Sequence, residues 1–194
     1  LVEKWEYALF SLVFAAILDG IDGRIARLLR GTSKFGAELD SLAAVCDSNK
    51  QLAQSYAKQC GVDDLSFKSI LAYPNIEGVV LAVPASLHAS MSLEAMNAGK
   101  NVYVEKPLAM HKLEAEKMIE SAKENNVRLM VGHLLIYHPV FKALRNLIES
   151  GKLGALRYIY SNRLSLGRVR SEEDVIWSFA PHDISMILAI TGQE

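Results

Sequence analysis

A chain of 194 residues is long enough for one domain and part of another, and its 51% hydrophobic and 22% charged residues can build a substantial core. The formal net charge of −1 gives no electrostatic basis for a nucleic-acid partner, because such domains carry a basic face. Two cysteines, Cys46 and Cys60, are too few for a disulfide framework and are not spaced as a metal site, which points to a reducing cytoplasm and to buried or incidental thiols rather than reactive ones.

The chain starts at Leu1 rather than Met, as a fragment of a longer protein would. It shows no secretory signal, since no basic stretch precedes the first apolar run and no small-residue cleavage site follows it. That run covers residues 7–18, broken only by Ser11. A membrane span needs roughly 20 apolar residues, so on length the run is a core element or an incomplete span. Asp19-Gly20-Ile21-Asp22-Gly23-Arg24 follows, then an amphipathic basic stretch.

Near residues 42–45 the pattern changes to a regular alternation. Short apolar runs occupy 42–46, 78–83, 101–104, 128–131 and 156–160, and helical periodicity occupies 50–59, 87–98, 113–125 and 140–150. Strands alternating with helices of this length predict βαβ units and a parallel sheet. Gly61, Gly99 and Gly151 follow three of the helices, where helix-ending glycines belong. Residues 178–190 also have helical periodicity.

A dinucleotide-binding sheet opens with a strand, then G-x-G-x-x-G, then a helix, with an acidic residue about 20 or more positions later. Asp47, ending the run 42–46, suits that acidic role by binding adenosine ribose hydroxyls, which favours NAD over NADP; the alternative is a cap for the following helix. The glycine fingerprint is absent, and Gly20-Ile21-Asp22-Gly23 stands in its place.

Taken in order, Val80-Leu81-Ala82-Val83-Pro84, His88, the stretch from Gly99 through Glu105-Lys106-Pro107-Leu108, and Val131-Gly132-His133 resemble successive blocks of the glucose–fructose oxidoreductase / inositol dehydrogenase / MocA family. Trp177-Ser178-Phe179-Ala180-Pro181-His182-Asp183 resembles the second-domain block of the same family. The resemblance runs over residues 44–194. It implies an NAD(P)-dependent dehydrogenase acting on a sugar hydroxyl, in a family that is usually homo-oligomeric and cytoplasmic.

Oxidising a hydroxyl requires a base for the O–H proton and an acceptor for the hydride, and the nicotinamide is that acceptor. By resemblance Lys106 polarises the hydroxyl oxygen and His182 takes the proton, a role an imidazole can fill near neutral pH. Glu105 positions Lys106 or the ribose, and Pro107 fixes the strand exit. Pro84 and His88 line the nicotinamide side. Family members often carry Asp four residues before the histidine, where this chain has Ser178. His133, Tyr137 and His138 fall where the family enters its second domain and suit either substrate contact or structure; His111 reads as a helix start. Asn162-Arg163 and the arginines at 168 and 170 place positive charge after the run 156–160. The blocks look most similar to members acting on nucleotide-linked sugars, and arginine pairs well with phosphate or carboxylate; a solvated basic loop is the alternative.

Residues 1–43 resemble a different family. Asp19-x-x-Asp22-Gly23-x-x-Ala26-Arg27 followed by Gly36-x-x-x-Asp40 is similar to the CDP-alcohol phosphatidyltransferase signature, and residues 28–42 to phosphatidylserine synthase. There, carboxylates on membrane helices hold divalent metals, which prefer oxygen ligands. The last aspartate of that motif is due at position 44, where this chain has Ala44. Metal binding is therefore not expected for the dehydrogenase, with Asp19, Asp22 and Asp40 as a remnant motif, and membrane association enters only through this segment.

The expected fold is α/β. A mainly helical foreign segment (residues 1–43) precedes an incomplete Rossmann-type doubly wound parallel sheet (44–135) and the start of an α+β domain for substrate and dimerisation (136–194). The incomplete sheet lacks its first strand and phosphate loop. One variant has residues 12–30 supplying that first βα unit, since Asp47 lies 27 positions after Gly20 (47 − 20).

Overall fold

The computed structural model describes residues 15–18, 42–162 and 174–192. The chain divides into two compact units, Leu1–Val131 and Gly132–Glu194.

The first unit holds a sheet of β1 (Ala15–Leu18), β2 (Ala44–Cys46), β3 (Asp63–Asp64), β4 (Gly78–Ala82), β5 (Asn101–Val104) and β6 (Leu129–Val131). The strand order is β3-β2-β1-β4-β5-β6, and every pairing is parallel. Between the strands come α1 (Lys50–Cys60), α2 (Phe67–Ala72), α3 (Ala85–Asn97) and α4 (Lys112–Glu124).

Every residue of β4 is buried. That is the expected fate of a continuous Gly-Val-Val-Leu-Ala run at the centre of a parallel sheet, which is covered on both faces. Val79 and Leu81 of β4 and Val102 and Val104 of β5 meet Met96 of α3 and Met118 of α4 in the core, and Leu81, Met96 and Met118 have no exposed surface. Burying each such side chain contributes about 1.5–3 kcal/mol. Asn49 starts α1 by accepting from the N–H groups of Gln51 and Leu52, and Gly61 ends it at φ 70°, a left-handed conformation that costs glycine little. Gly99 ends the turn after α3 at φ 74° in the same way.

The sheet corrects the expectation of a missing first strand. Ala15–Leu18 lies between β2 and β4, with Ala16 opposite both Val45 and Val80. Without it, β2 and β4 would each present a row of unpaired N–H and C=O groups inside the protein. A short apolar run that can be extended satisfies that demand whatever family its sequence resembles. Of the proposed βα replacement unit, the strand is observed, whereas Gly20, Gly23 and residues 24–30 lie outside the described residues.

Residues 61–77 carried no expected element, yet they contain β3 and α2. β3 is a two-residue edge strand of exposed aspartates; charge on an edge discourages further pairing and leaves no apolar pattern to read. α2 is a six-residue helix capped by Ser66, whose hydroxyl accepts the Ser69 N–H at 3.1 Å.

The second unit contains a 3₁₀ turn (Leu134–Tyr137), α5 (Pro139–Glu149) and α6 (Val175–Thr191). The strand expected at 156–160 is not formed: these residues have no strand assignment, and Tyr158 and Tyr160 are 83% and 79% exposed. A short apolar run can supply a face, but a strand also needs a hydrogen-bonded neighbour, and none stands beside it among the described residues. α6 begins before the periodicity at 178, because Asp174 accepts the Trp177 N–H at 2.9 Å and starts the helix there. Pro181 lies inside α6.

Candidate active site

In open α/β sheets, ligands bind beyond the carboxyl ends of the strands, where the strand order reverses. Here the reversal lies between β1 and β4, since β2 and β3 extend to one side and β4, β5 and β6 to the other. Asp47 follows β2, Val83 and Pro84 follow β4, and Glu105 and Lys106 follow β5. All three groups therefore lie on one edge of the sheet. From β2 to β5 is three strand spacings, about 14 Å, so Asp47 and Lys106 flank the reversal point from opposite sides.

Asp47 does not cap α1; Asn49 does. Its Oδ1 accepts the Asn49 N–H at 2.7 Å. Its Oδ2 is shielded from solvent and has no hydrogen-bond partner among the described residues. A carboxylate oxygen in that state is costly unless a donor reaches it. Ribose hydroxyls are such donors, so the residues present fit the adenosine half of a dinucleotide.

At β5, the Glu105 N–H donates to Leu81 O at 2.9 Å, one step beyond the strand. Half-buried Glu105 places Oε2 3.3 Å from the Lys106 N–H. Lys106 is half-buried and Pro107 buried, and the peptide bond between them is cis. Burial pushes the Glu105 carboxyl up from its ordinary value, against the Lys106 N–H, the Lys106 charge and His88, which pull it down.

A raised folded-state pKa means that the folded protein holds this proton more tightly than the unfolded chain. The resulting stability is fully present below the unfolded carboxyl value and is lost as pH rises through the raised folded value. Glu105→Gln cannot titrate, so its melting temperature should fall less than the parent's across that interval. Parallel melting profiles against pH would sink the assignment.

Pro84 is half-buried and is the N-cap of α3; its carbonyl accepts the Leu87 N–H at 2.8 Å. His88 departs from the expectation that it lines the nicotinamide side. It is 1% exposed, with Nδ1 2.6 Å from Pro107 O and Nε2 2.9 Å from Val83 O. With both ring nitrogens against backbone carbonyls, it has no polar atom left for a ligand. Its position four residues after Pro84 placed it near the site, but two anonymous backbone carbonyls leave no mark in a sequence.

His133 stands at the start of the second unit, just before its 3₁₀ turn, and burial pushes its imidazole pKa down. His138 caps α5, its Nδ1 accepting the Val140 N–H at 3.2 Å. Tyr137 has the Lys142 ammonium 6.0 Å from its ring centroid. His111 starts α4 with its N–H donated to the Glu114 carboxylate at 3.2 Å. In the second unit, His182 lies on α6 and its carbonyl accepts the Ser185 hydroxyl at 2.8 Å. Its neighbour Asp183 accepts from Ser161 at 3.1 Å, fastening the segment after residue 160 to α6. Asp19, Asp22, Asp40, Arg163, Arg168 and Arg170 lie outside the described residues.

Residues 22–133 match the GFO_IDH_MocA family model, an oxidoreductase family with an NAD-binding Rossmann fold. The chain is 32% identical over 160 residues to UDP-N-acetylglucosamine 3-dehydrogenase of Acidithiobacillus ferrooxidans, covering 81% of this chain and 49% of that protein. It is 31% identical to scyllo-inositol 2-dehydrogenase (NAD(+)) of Bacillus subtilis over 63% of this chain and 36% of that one. A solved structure of the Acidithiobacillus ferrooxidans enzyme matches with a TM-score of 0.75 at 31% identity, over 92% of this chain and 56% of that chain. The chain spans about half the length of the curated relatives it matches. The matched stretch takes in Asp22 and Asp40, and no helix among the described residues is long and apolar enough to cross a membrane. The phosphatidyltransferase resemblance of residues 1–43 thus finds no support.

Proposed function

Because this chain belongs to the oxidoreductase family built on an NAD-binding Rossmann fold, we propose that it takes part in dehydrogenation of a sugar hydroxyl, with NAD preferred over NADP. The observation that carries this reading is the solvent-shielded Asp47 Oδ2, which has no hydrogen-bond partner among the described residues, on the same sheet edge as Lys106. Asp47 holds the adenosine ribose, and Pro84, Glu105 and Lys106 hold the nicotinamide side. Bound there, the nicotinamide supplies hydride acceptance. Lys106 polarises the hydroxyl oxygen of the substrate and His182 accepts its proton, so the carbon left behind becomes a carbonyl.

A nucleotide-linked sugar is the proposed substrate class. The name of one relative supports it, as do Asn162-Arg163 and the arginines at 168 and 170, since arginine pairs with phosphate in a bidentate fork. The proposed setting is the cytoplasm, as a homo-oligomer. If residues 12–30 supply the first βα unit, Asp19 and Asp22 put negative charge where such a fold offers bare N–H groups to pyrophosphate, so cofactor affinity falls sharply.

NADH fluorescence titration tests the proposal directly. Saturable binding at or below millimolar cofactor is expected, and Asp47→Ala should weaken it roughly tenfold, the cost of one hydrogen bond to a charged group. The same substitution should narrow the preference for NADH over NADPH. A parent chain with no binding at millimolar NADH would overturn the reading. Metal-dependent CMP release from a CDP-lipid would instead revive phosphotransfer through Asp19, Asp22 and Asp40.

A further inference from the structure

The parallel ladder between β4 and β5 stops at the Glu105 N–H, which donates to Leu81 O. Beyond it, the Lys106 N–H turns to the neighbouring Glu105 carboxylate at 3.3 Å, and Pro107 has no N–H to give. The backbone that carries Lys106 therefore needs an anchor outside the ladder. Pro107 O lies 2.6 Å from His88 Nδ1, and the opposite nitrogen of the same ring lies 2.9 Å from Val83 O, the residue directly after β4. The ring belongs to the first turns of α3 and is 1% exposed. One side chain thus joins three pieces: the start of α3, the exit of β4 and the exit of β5.

Carbonyl oxygens only accept, so the bonds that form are donated by ring N–H groups; a neutral ring supplies one and an imidazolium both. In a site closed to water, such bonds are stronger than at the surface, and no solvent replaces them when they are lost.

We propose that His88 is a positioning residue: by tying Val83 O to Pro107 O it fixes the backbone on which Lys106 stands. Its catalytic consequence rests on the role proposed for Lys106, whereas the brace itself does not.

The test is amide hydrogen exchange of the intact chain without cofactor, for the parent, His88→Ala and His88→Gln. Exchange of the Glu105, Lys106 and Leu108 amides should rise about tenfold or more in His88→Ala, as expected for losing at least one buried hydrogen bond. Free imidazole should restore it by refilling the vacated space. His88→Gln, whose amide can donate, should fall between the two. Amides of α1 should not change, which separates a local brace from general loosening. Unchanged exchange at 105–108, or no rescue by imidazole, would overturn the proposal.

If neither variant folds, the parent ring is read directly by nitrogen-15 NMR. A ring N–H of His88 protected from exchange and close to Pro107 is expected, and a ring with no protected N–H overturns the brace. NADH titration in parallel keeps the two ideas apart. A parent that binds no NADH sinks the proposed function and leaves the exchange result standing. Where turnover is measurable, His88→Ala should lower kcat while KM for NAD stays within about twofold, because Asp47 lies across the reversal point from the brace.

Discussion

Lys106→Met should lower kcat/KM for a sugar hydroxyl by about a hundred- to ten-thousandfold, the usual reach of a positioned proton-handling group. Methionine keeps much of the apolar stem and removes the ammonium. The Lys106 main chain would keep its place after β5, because the Glu105 N–H still reaches Leu81 O at 2.9 Å and His88 still holds Pro107 O at 2.6 Å. NADH affinity should therefore change far less than turnover. That split distinguishes lost chemistry from a damaged site: uniform binding losses raise KM and leave kcat alone, whereas loss of an interaction made in the transition state lowers kcat. Steady-state rates with NADH titrations on the same preparations check it. A variant with parental turnover would remove Lys106 from the chemistry, and one that loses NADH binding in equal measure would make it a cofactor ligand only.

The second large effect falls at the opposite end of β5 and concerns stability. Lys100 is 6% exposed, and its Nζ donates to Tyr73 O and Ile76 O, both at 2.7 Å. Burial pushes the ammonium pKa down, but the two carbonyls give the charge short partners. Lys100→Met would fill the space without donors. Tyr73 O would keep the Ile76 N–H at 3.2 Å, while Ile76 O would lose the Lys100 donor. Losing hydrogen bonds of this kind should cost about 3 kcal/mol, a fall in melting temperature of roughly 6–12 °C for a chain of this size. Thermal and urea unfolding measure it. A loss below about 0.5 kcal/mol would show that Lys100 stays at the surface in solution. Lys100 and Lys106 flank β5 at its two ends: the first supports the loop before β4, and the second carries the proposed chemistry.

How far the sequence reached can be judged element by element. β4 was readable because a fully buried parallel strand must be apolar throughout, and β5 because Val102 and Val104 supply its buried face; their observed bounds differ from the expected ones by at most one residue (78–83 against Gly78–Ala82; 101–104 against Asn101–Val104). α1, α3, α4 and α5 were readable because each must show one apolar stripe to the sheet or to its neighbours, and glycine marks where α1 stops. Local composition carries these features, so the sequence alone determined them, along with the family and the placement of Asp47, Pro84, Glu105 and Lys106 at strand ends.

Pairing was another matter. Nothing within Ala-Ala-Ile-Leu announces the central strand of a sheet; the vacancy between β2 and β4 is what selects it. Conversely, residues 156–160 are a short apolar run like those of the strands but have no neighbour to complete a ladder among the described residues. β3 was invisible because an edge strand of two aspartates has no apolar signal. His88 illustrates the same limit at the site: the family resemblance put it on the nicotinamide side, but its two backbone carbonyl partners, one of them 19 residues away, make it a brace. Sequence determines what each segment prefers and which chemistry it carries. Only the tertiary structure decided which segments pair and which polar atoms are already taken, because backbone groups are the same at every residue and their partners are chosen by the fold as a whole.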